Sequence, residues 1–172
     1  QLFAKRKTKK NYKKGVFRLL TFISALLLIF TLTTGINYHR NPFSQKSGLI
    51  IRESSLDELY DLTRALIERS RAISEQVPTD DNGYAMIDVD LAKEAKKAME
   101  NIGEKYEALA GYYPNPKPIL ASRLMSYTRI VGVYSSFTVE ANYDNDVPDY
   151  DIPATVLHEL SHLKGFMRED EA

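Results

Sequence analysis

The feature that most constrains the fold is an uninterrupted apolar run, LLTFISALLLIFTLTTGINY, at residues 19–38. None of its residues is charged. As a helix rising about 1.5 Å per residue, the run would span about 30 Å, the thickness of a bilayer's hydrocarbon core. It also lacks the polar face of a helix that packs on a soluble protein. The run therefore predicts a transmembrane helix over residues 19–38.

The segment before this run, residues 1–18, is strongly basic. Lys and Arg crowd its first fifteen positions: Lys5, Arg6, Lys7, Lys9, Lys10, Lys13 and Lys14. Such a stretch alone would suit nucleic-acid binding, and with the apolar run it would suit a signal peptide. The apolar run is long for a signal peptide, however, and no clear small-x-small cleavage site follows it. Because the segment after the run is much poorer in Lys and Arg, residues 1–18 are predicted to be a cytoplasmic flank.

These two segments predict a protein of the cell membrane, with the lipid bilayer as a partner and no nucleic-acid partner. The residues after the helix are predicted to lie outside the cytoplasm. They divide into a linker over residues 39–53 and one domain over residues 54–172. Since the last residues have the pattern of a helix that is not completed, we expect the domain to be truncated at its C-terminus.

Two amphipathic helices are predicted in the first half of this domain. Ser55 and Glu58 form a capping-box pattern that opens the first, and Pro78 follows it. Its apolar positions at helical spacing are Leu56, Leu59, Thr63, Leu66, Ile67 and Ile73. The second begins near Asp90 and carries Leu91, Ala95, Ala98, Ile102, Tyr106 and Leu109. Both apolar faces predict packing into a core.

The amino-acid composition changes at residues 129–144, RIVGVYSSFTVEANYD, which are rich in β-branched and aromatic side chains. This composition predicts a strand over residues 130–139, or a hairpin around Ser135 and Ser136. The loop NDVPDYDIP then leads into a last helix, with Pro153 suited to its first turn. The predicted fold class is α+β, a mostly helical domain with a small β-sheet or hairpin beside the last helix.

The last helix carries the chemistry, in the motif HELSH at residues 158–162. His158 and His162 are four residues apart, so they lie on one helix face and can bind one metal ion. Glu159 lies at the edge of that face, where it can contact a metal-bound water as a general base. Gly165 is predicted to end the helix. The pattern indicates a Zn2+ site, against the alternative of two hydrated histidines on a surface helix.

A zinc site needs a third protein ligand, but no histidine follows the motif and the chain has no cysteine. The pattern H-E-x-x-H-x-x-G-x-x-H is matched up to Gly165, but its third histidine is replaced by Arg168. The remaining candidates are Glu169, Asp170 and Glu171. We choose Glu169, provided that a helix begins after the glycine turn, and place Glu171 second. The alternative is an acidic run that only contacts solvent.

Several motifs resemble an uncharacterised bacterial family of membrane-anchored, zinc-metallopeptidase-like proteins. They are NYHRNPF at residues 37–43, VEAN at 139–142, the Pro153 lead-in, HELSHLKGF at 158–166 and EDEA at 169–172. Members of that family carry HELAH, a short glycine turn and EDEAN. The resemblance implies a zincin-like fold in which the leading glutamate of E-x-x-A, here Glu169, is the third zinc ligand. The chain departs from it at FTVEAN, where FTGEAN is expected.

The functional hypothesis is a zinc metallopeptidase that hydrolyses a peptide or protein substrate. The zincin-like fold further implies that a substrate pairs along the strand near Tyr134, with Glu140 and Asn142 lining the cleft. Two alternatives remain open. One is a catalytically silent zinc-binding sensor or scaffold in the membrane, and the other is a helical interaction module without a metal.

Overall fold

The computed structural model describes the backbone of residues 2–172 and the side chains of residues 11–172. Gln1 and the basic side chains as far as Lys10 therefore lie outside the described part. The chain divides into two compact units, an N-terminal unit of residues 1–40 and a C-terminal unit of residues 41–172.

The N-terminal unit is helical. Its main helix, α1 (Leu2–Thr33), is followed by a 3-10 helix at Gly35–His39. The segment Asn11–His39, which includes most of α1 and the 3-10 helix, is long and apolar enough to cross a membrane. The hydroxyls of Thr21, Thr31 and Thr33 each donate to the carbonyl four residues earlier, at 2.8–2.9 Å. Their polar groups are thus satisfied within the helix, as a hydrocarbon environment requires.

The C-terminal unit is mostly helical with one small sheet, so the coarse fold prediction is confirmed. Its helices are α2 (Phe43–Ser47), α3 (Leu56–Ser74), α4 (Leu91–Lys105), α5 (Ser122–Thr128) and α6 (Ile152–Leu163). Short 3-10 helices lie at Glu107–Leu109 and Asp149–Asp151. The strands are β1 (Lys117–Pro118), β2 (Gly132–Ser135) and β3 (Glu140–Tyr143).

The three strands form a mixed sheet in the order β1-β3-β2. β3 is the central strand, parallel to β1 and antiparallel to β2, with Tyr134 opposite Ala141. The predicted single strand over residues 130–139 was wrong, and the alternative hairpin is confirmed. Residues 136–139 form its turn, and Val139 has a φ of 56°, a conformation that a regular strand cannot adopt.

α6 lies at the centre of the core of this unit. Val156 and Leu160 on α6 are fully buried, as is Ala141 on β3. On its other side α6 contacts α4, whose buried residues are Ala95, Met99 and Gly103. The remaining buried members of the core are Leu109, Tyr113, Ile152 and Phe166. The sheet and α4 together therefore fix the position of α6.

The predicted face of α4 was only partly right. Ala95 is buried, but Ile102 is 43% exposed. Met99 and Gly103, which the sequence pattern did not single out, complete the buried face at a spacing of four residues. A four-residue spacing keeps these three positions in one row along the helix.

The predicted burial of α3 was wrong. Its capping box is confirmed, because Ser55 Oγ accepts from the Glu58 N–H at 3.2 Å and the Glu58 carboxylate accepts from the Ser55 N–H at 2.9 Å. No residue of the helix is buried, however. Its Leu and Ile side chains are 49–66% exposed. Helical periodicity predicts an amphipathic helix, but it does not show which surface covers the apolar face.

Gly103 offers a test of the packing of α4. A Cβ at this position would lie 2.9 Å from the Ala110 Cα and 3.1 Å from the Leu109 carbonyl oxygen. We expect Gly103→Ala to lower the free energy of unfolding by about 1–2 kcal/mol, because this backbone clash outweighs the higher helix propensity of alanine. The measurement is urea unfolding of the full chain in mild detergent, followed by circular dichroism.

The matched control is Asn101→Ala, at an exposed position of the same helix. Without a clash, the propensity gain alone should stabilise this variant by a few tenths of a kcal/mol. A Gly103→Ala variant as stable as Asn101→Ala would contradict the described packing.

Candidate functional site

The site is built on α6 and on the turn that follows it. Pro153 lies in the first turn of α6, as predicted, where its missing N–H removes no helical hydrogen bond. At the other end Gly165 adopts a φ of 86° and donates its N–H to the His162 carbonyl at 2.9 Å. The predicted stop at Gly165 is confirmed, because such a left-handed residue ends a helix.

The two histidines converge on one point. Nε2 of His158 lies 3.1 Å from Nε2 of His162, and the rings meet edge to face at 86°. His162 also places its Nδ1 2.7 Å from the carbonyl oxygen of Phe166. A carbonyl can only accept, so Nδ1 carries the proton and donates it, which leaves the Nε2 lone pair of His162 available to a metal.

Glu169 reaches the same point from beyond the glycine turn. Its Oε2 lies 2.9 Å from His158 Nε2, and its Oε1 lies 3.6 Å from His162 Nε2. A helical turn holds this segment, with the Ala172 N–H donating to the Arg168 carbonyl at 3.1 Å. Glu171 is directed elsewhere, with its described ion pair to Arg168 at 3.9 Å. Of the two glutamates considered from the sequence, the structure brings Glu169 to the histidines.

These distances fit a tetrahedral ion. Ligand atoms about 2.0–2.1 Å from a zinc ion at tetrahedral angles lie about 3.3 Å apart. The two Nε2 atoms of His158 and His162 are 3.1 Å apart, and the carboxylate of Glu169 lies 2.9 Å from the first through Oε2 and 3.6 Å from the second through Oε1. Two imidazoles and one carboxylate form a donor set that suits zinc and leaves a fourth position open.

Glu159 lies beside this triangle and is itself buried, with 5% of its surface exposed. Burial raises the pKa of its carboxyl to about 7, and the negative charge of Glu169 adds to the rise. A hydrogen bond from the Tyr134 backbone N–H offsets part of this effect. Among the side chains and backbone groups that the structure describes, Oε2 of Glu159 has no hydrogen-bond partner. The side chain therefore has one anchored and one available oxygen.

Glu140 and Asn142, predicted to line a substrate cleft, lie on the central strand β3. Glu140 forms an ion pair with Lys117 and accepts from the Thr138 hydroxyl at 2.9 Å. Asn142 donates from Nδ2 to the Val133 carbonyl at 3.3 Å. These contacts hold the sheet together, and the role of both residues with a substrate stays a prediction.

Two groups that contribute to the site were not predicted from the sequence. The carbonyl of Phe166 orients His162, and the backbone N–H of Tyr134 anchors Glu159. Both act through the main chain, so no side-chain type marks them. The Tyr134 ring also lies near His162, with ring centroids 6.5 Å apart. The strand predicted just upstream of the motif was the only signal that pointed toward β2.

The raised pKa of Glu159 predicts a pH dependence of stability. Between pH about 4.5 and about 7 the folded chain holds a proton on Glu159 that the unfolded chain has released, so raising the pH destabilises the fold. This contribution is complete below pH 4.5 and lost above pH 7, with a total of about 3 kcal/mol. Glu159→Gln should remove it.

The measurement is urea unfolding in detergent with a chelator, at several values between pH 4.5 and 8. The difference between wild type and Glu159→Gln isolates the contribution of this carboxyl from that of all other groups, which are the same in both proteins. Glu104→Gln, an exposed change on α4, should keep the wild-type profile. Parallel profiles for wild type and Glu159→Gln would contradict the burial of this group.

The comparisons with known proteins concern the whole chain. No curated protein and no solved structure matches it. A family model does match, over residues 1–172, and its description is "Protein of unknown function (DUF3810)". Because the match extends over the full sequence, the chain is a member of the DUF3810 family.

Proposed function

We propose that the chain is a zinc metallopeptidase held at a membrane by its N-terminal helix, with a zincin-like C-terminal unit. The observation that carries this proposal is the convergence of two imidazole nitrogens and one carboxylate within 2.9–3.6 Å, beside an available oxygen of Glu159. A site that only held a metal for structure would have no use for such a base.

The residues divide into a binding set and a base. His158, His162 and Glu169 would hold the ion, with His162 oriented by the Phe166 carbonyl. Bound zinc would polarise the scissile carbonyl and lower the pKa of water toward neutrality. Oε2 of Glu159 would take the proton of the attacking water and deliver it to the leaving amine.

The membrane part of the proposal rests on the apolar span Asn11–His39 and on the charges around it. Lys and Arg are abundant before this span and sparse after it. By the positive-inside rule the basic segment lies in the cytoplasm, and the metal site lies on the other side of the cell membrane. A peptide substrate would therefore be met outside the cytoplasm.

A second candidate function is a catalytically silent, zinc-binding sensor or scaffold. The exposed apolar side chains of α3 favour it, because exposed apolar faces are typical of surfaces that bind other proteins. Both candidates use the same metal ligands. They differ in what Glu159 does.

Glu159→Gln separates the two candidates. We expect the variant to keep stoichiometric zinc, since Glu159 is not a ligand, and to lose at least about 100-fold in peptide hydrolysis, since the amide cannot act as the base. Zinc content is measured by elemental analysis, and turnover with a library of quenched fluorescent peptides. Unchanged turnover in this variant, with Glu104→Gln as the control, would contradict the peptidase proposal.

The third ligand has a test of its own. Glu169→Ala should weaken zinc binding by more than about 100-fold, because a ligand in direct contact with the ion contributes more than its outer partners do. Glu171→Ala, which removes the same group two residues later, should change the affinity by less than about threefold. Chelator competition measures both. The reverse order of effects would assign the ligand to Glu171.

A further inference from the structure

Gly132 is the first residue of β2 and lies against α6. Its backbone is not the reason for a glycine, because the glycines with positive φ are Gly48, Gly83, Gly111 and Gly165. Any residue type could adopt the backbone conformation of a strand at this position. The requirement at position 132 is instead one of space.

A side chain at position 132 would collide with α6. A Cβ built on Gly132 lies 2.8 Å from Cγ of Glu159 and 2.8 Å from Cγ2 of Thr155, and it comes closer still to Oε1 of Glu159. Ordinary van der Waals contacts between carbon atoms begin at about 3.5 Å. Since Cγ lies near the helix backbone, Glu159 could clear a methyl group at 132 only by adopting another rotamer.

The hydrogen bonds of β2 show why this rotamer matters. The Val131 carbonyl accepts from Asp144 at 2.8 Å, and the Val133 carbonyl accepts from the Asn142 side chain, so residues 131 and 133 face β3. Because backbone groups alternate along a strand, those of Gly132 and Tyr134 face the free edge of the sheet. At that edge the Tyr134 N–H hydrogen bonds to Glu159.

We propose that Gly132 is a positioning residue for Glu159, whose missing side chain lets that carboxylate lie flat against the edge of β2. Oε1 then lies next to Gly132, Oε2 keeps no hydrogen-bond partner among the described residues, and a carboxylate oxygen lies within 4.8 Å of ring nitrogens of His158 and His162. The catalytic meaning of this arrangement rests on the proposed function. The steric relation between Gly132 and Glu159 does not, so it can be tested separately.

A double-mutant cycle on thermal stability tests the steric relation. The parent is the full chain with Thr155→Ser, measured in detergent with a chelator. This substitution removes Cγ2 and keeps the hydroxyl that donates to the Asp151 carbonyl. In this parent we expect Gly132→Ala to lower the Tm by about 5 °C or more. In the parent that also carries Glu159→Ala, the same change should lower the Tm by less than about 2 °C. Equal losses in the two backgrounds would overturn the proposal.

Val133→Ala is the matched control. Val133 is the next residue of the same strand, its side chain points to the opposite face, and it is 41% exposed. Its Tm shift should be the same with Glu159 present or replaced by Ala. A shift that depended on Glu159 would show that the cycle reports general loosening of β2, and it would also overturn the proposal.

Turnover supplies a second readout. The Gly132→Ala variant should bind as much zinc as the Thr155→Ser parent, and its KM should stay within about threefold of the parent's. Its kcat should fall by about 100-fold, as expected for a displaced general base. Loss of zinc together with activity, or an unchanged kcat, would overturn the positioning role. A parent without any turnover would refute the proposed function instead, and the thermal cycle would still decide whether Gly132 makes room for Glu159.

Discussion

Helix α6 is held between the sheet and α4, and this packing fixes the positions of the other site residues. Val156 and Leu160 are fully buried on the helix, and Ala141 on β3 presents only a methyl group to the core. Burying two such aliphatic side chains contributes about 2 kcal/mol each. With α6 fixed, the backbone positions of His158, Glu159 and His162 are fixed relative to one another and to the sheet.

The same packing imposes an electrostatic cost. Placing α6 close to β2 removes a carboxylate from water, and the pKa of Glu159 rises because its charged form is poorly solvated there. The Tyr134 N–H donates a hydrogen bond to this carboxylate and compensates only part of the lost hydration. A protein interior rarely tolerates an acidic side chain with so few partners. Here the unfavourable environment and the proposed chemistry arise from one contact between a helix and the edge of a sheet.

What could be predicted from the sequence was local in the chain. The capping box at Ser55, the stop at Gly165 and the common face of His158 and His162 each depend on residues within a few positions of one another. Long-range relations could not be predicted in this way. The pairing of Lys117 with Asn142 joins distant segments, and nothing in the periodicity of α3 shows that its apolar face is uncovered. The orienting carbonyl of Phe166 belongs to the backbone, which is the same for every residue type.

The short turn after α6 places two groups of the site, and both placements depend on the number of residues in the turn. It reverses the chain at Gly165, brings the Phe166 carbonyl under Nδ1 of His162, and presents Glu169 to both imidazoles. Inserting or deleting one residue before Phe166 would displace both groups, because a single residue changes the reach of the chain by up to about 3.5 Å. The segment from 164 to 168 should therefore have an invariant length among functional homologues, whereas the exposed turn at residues 79–84 is free to vary in length.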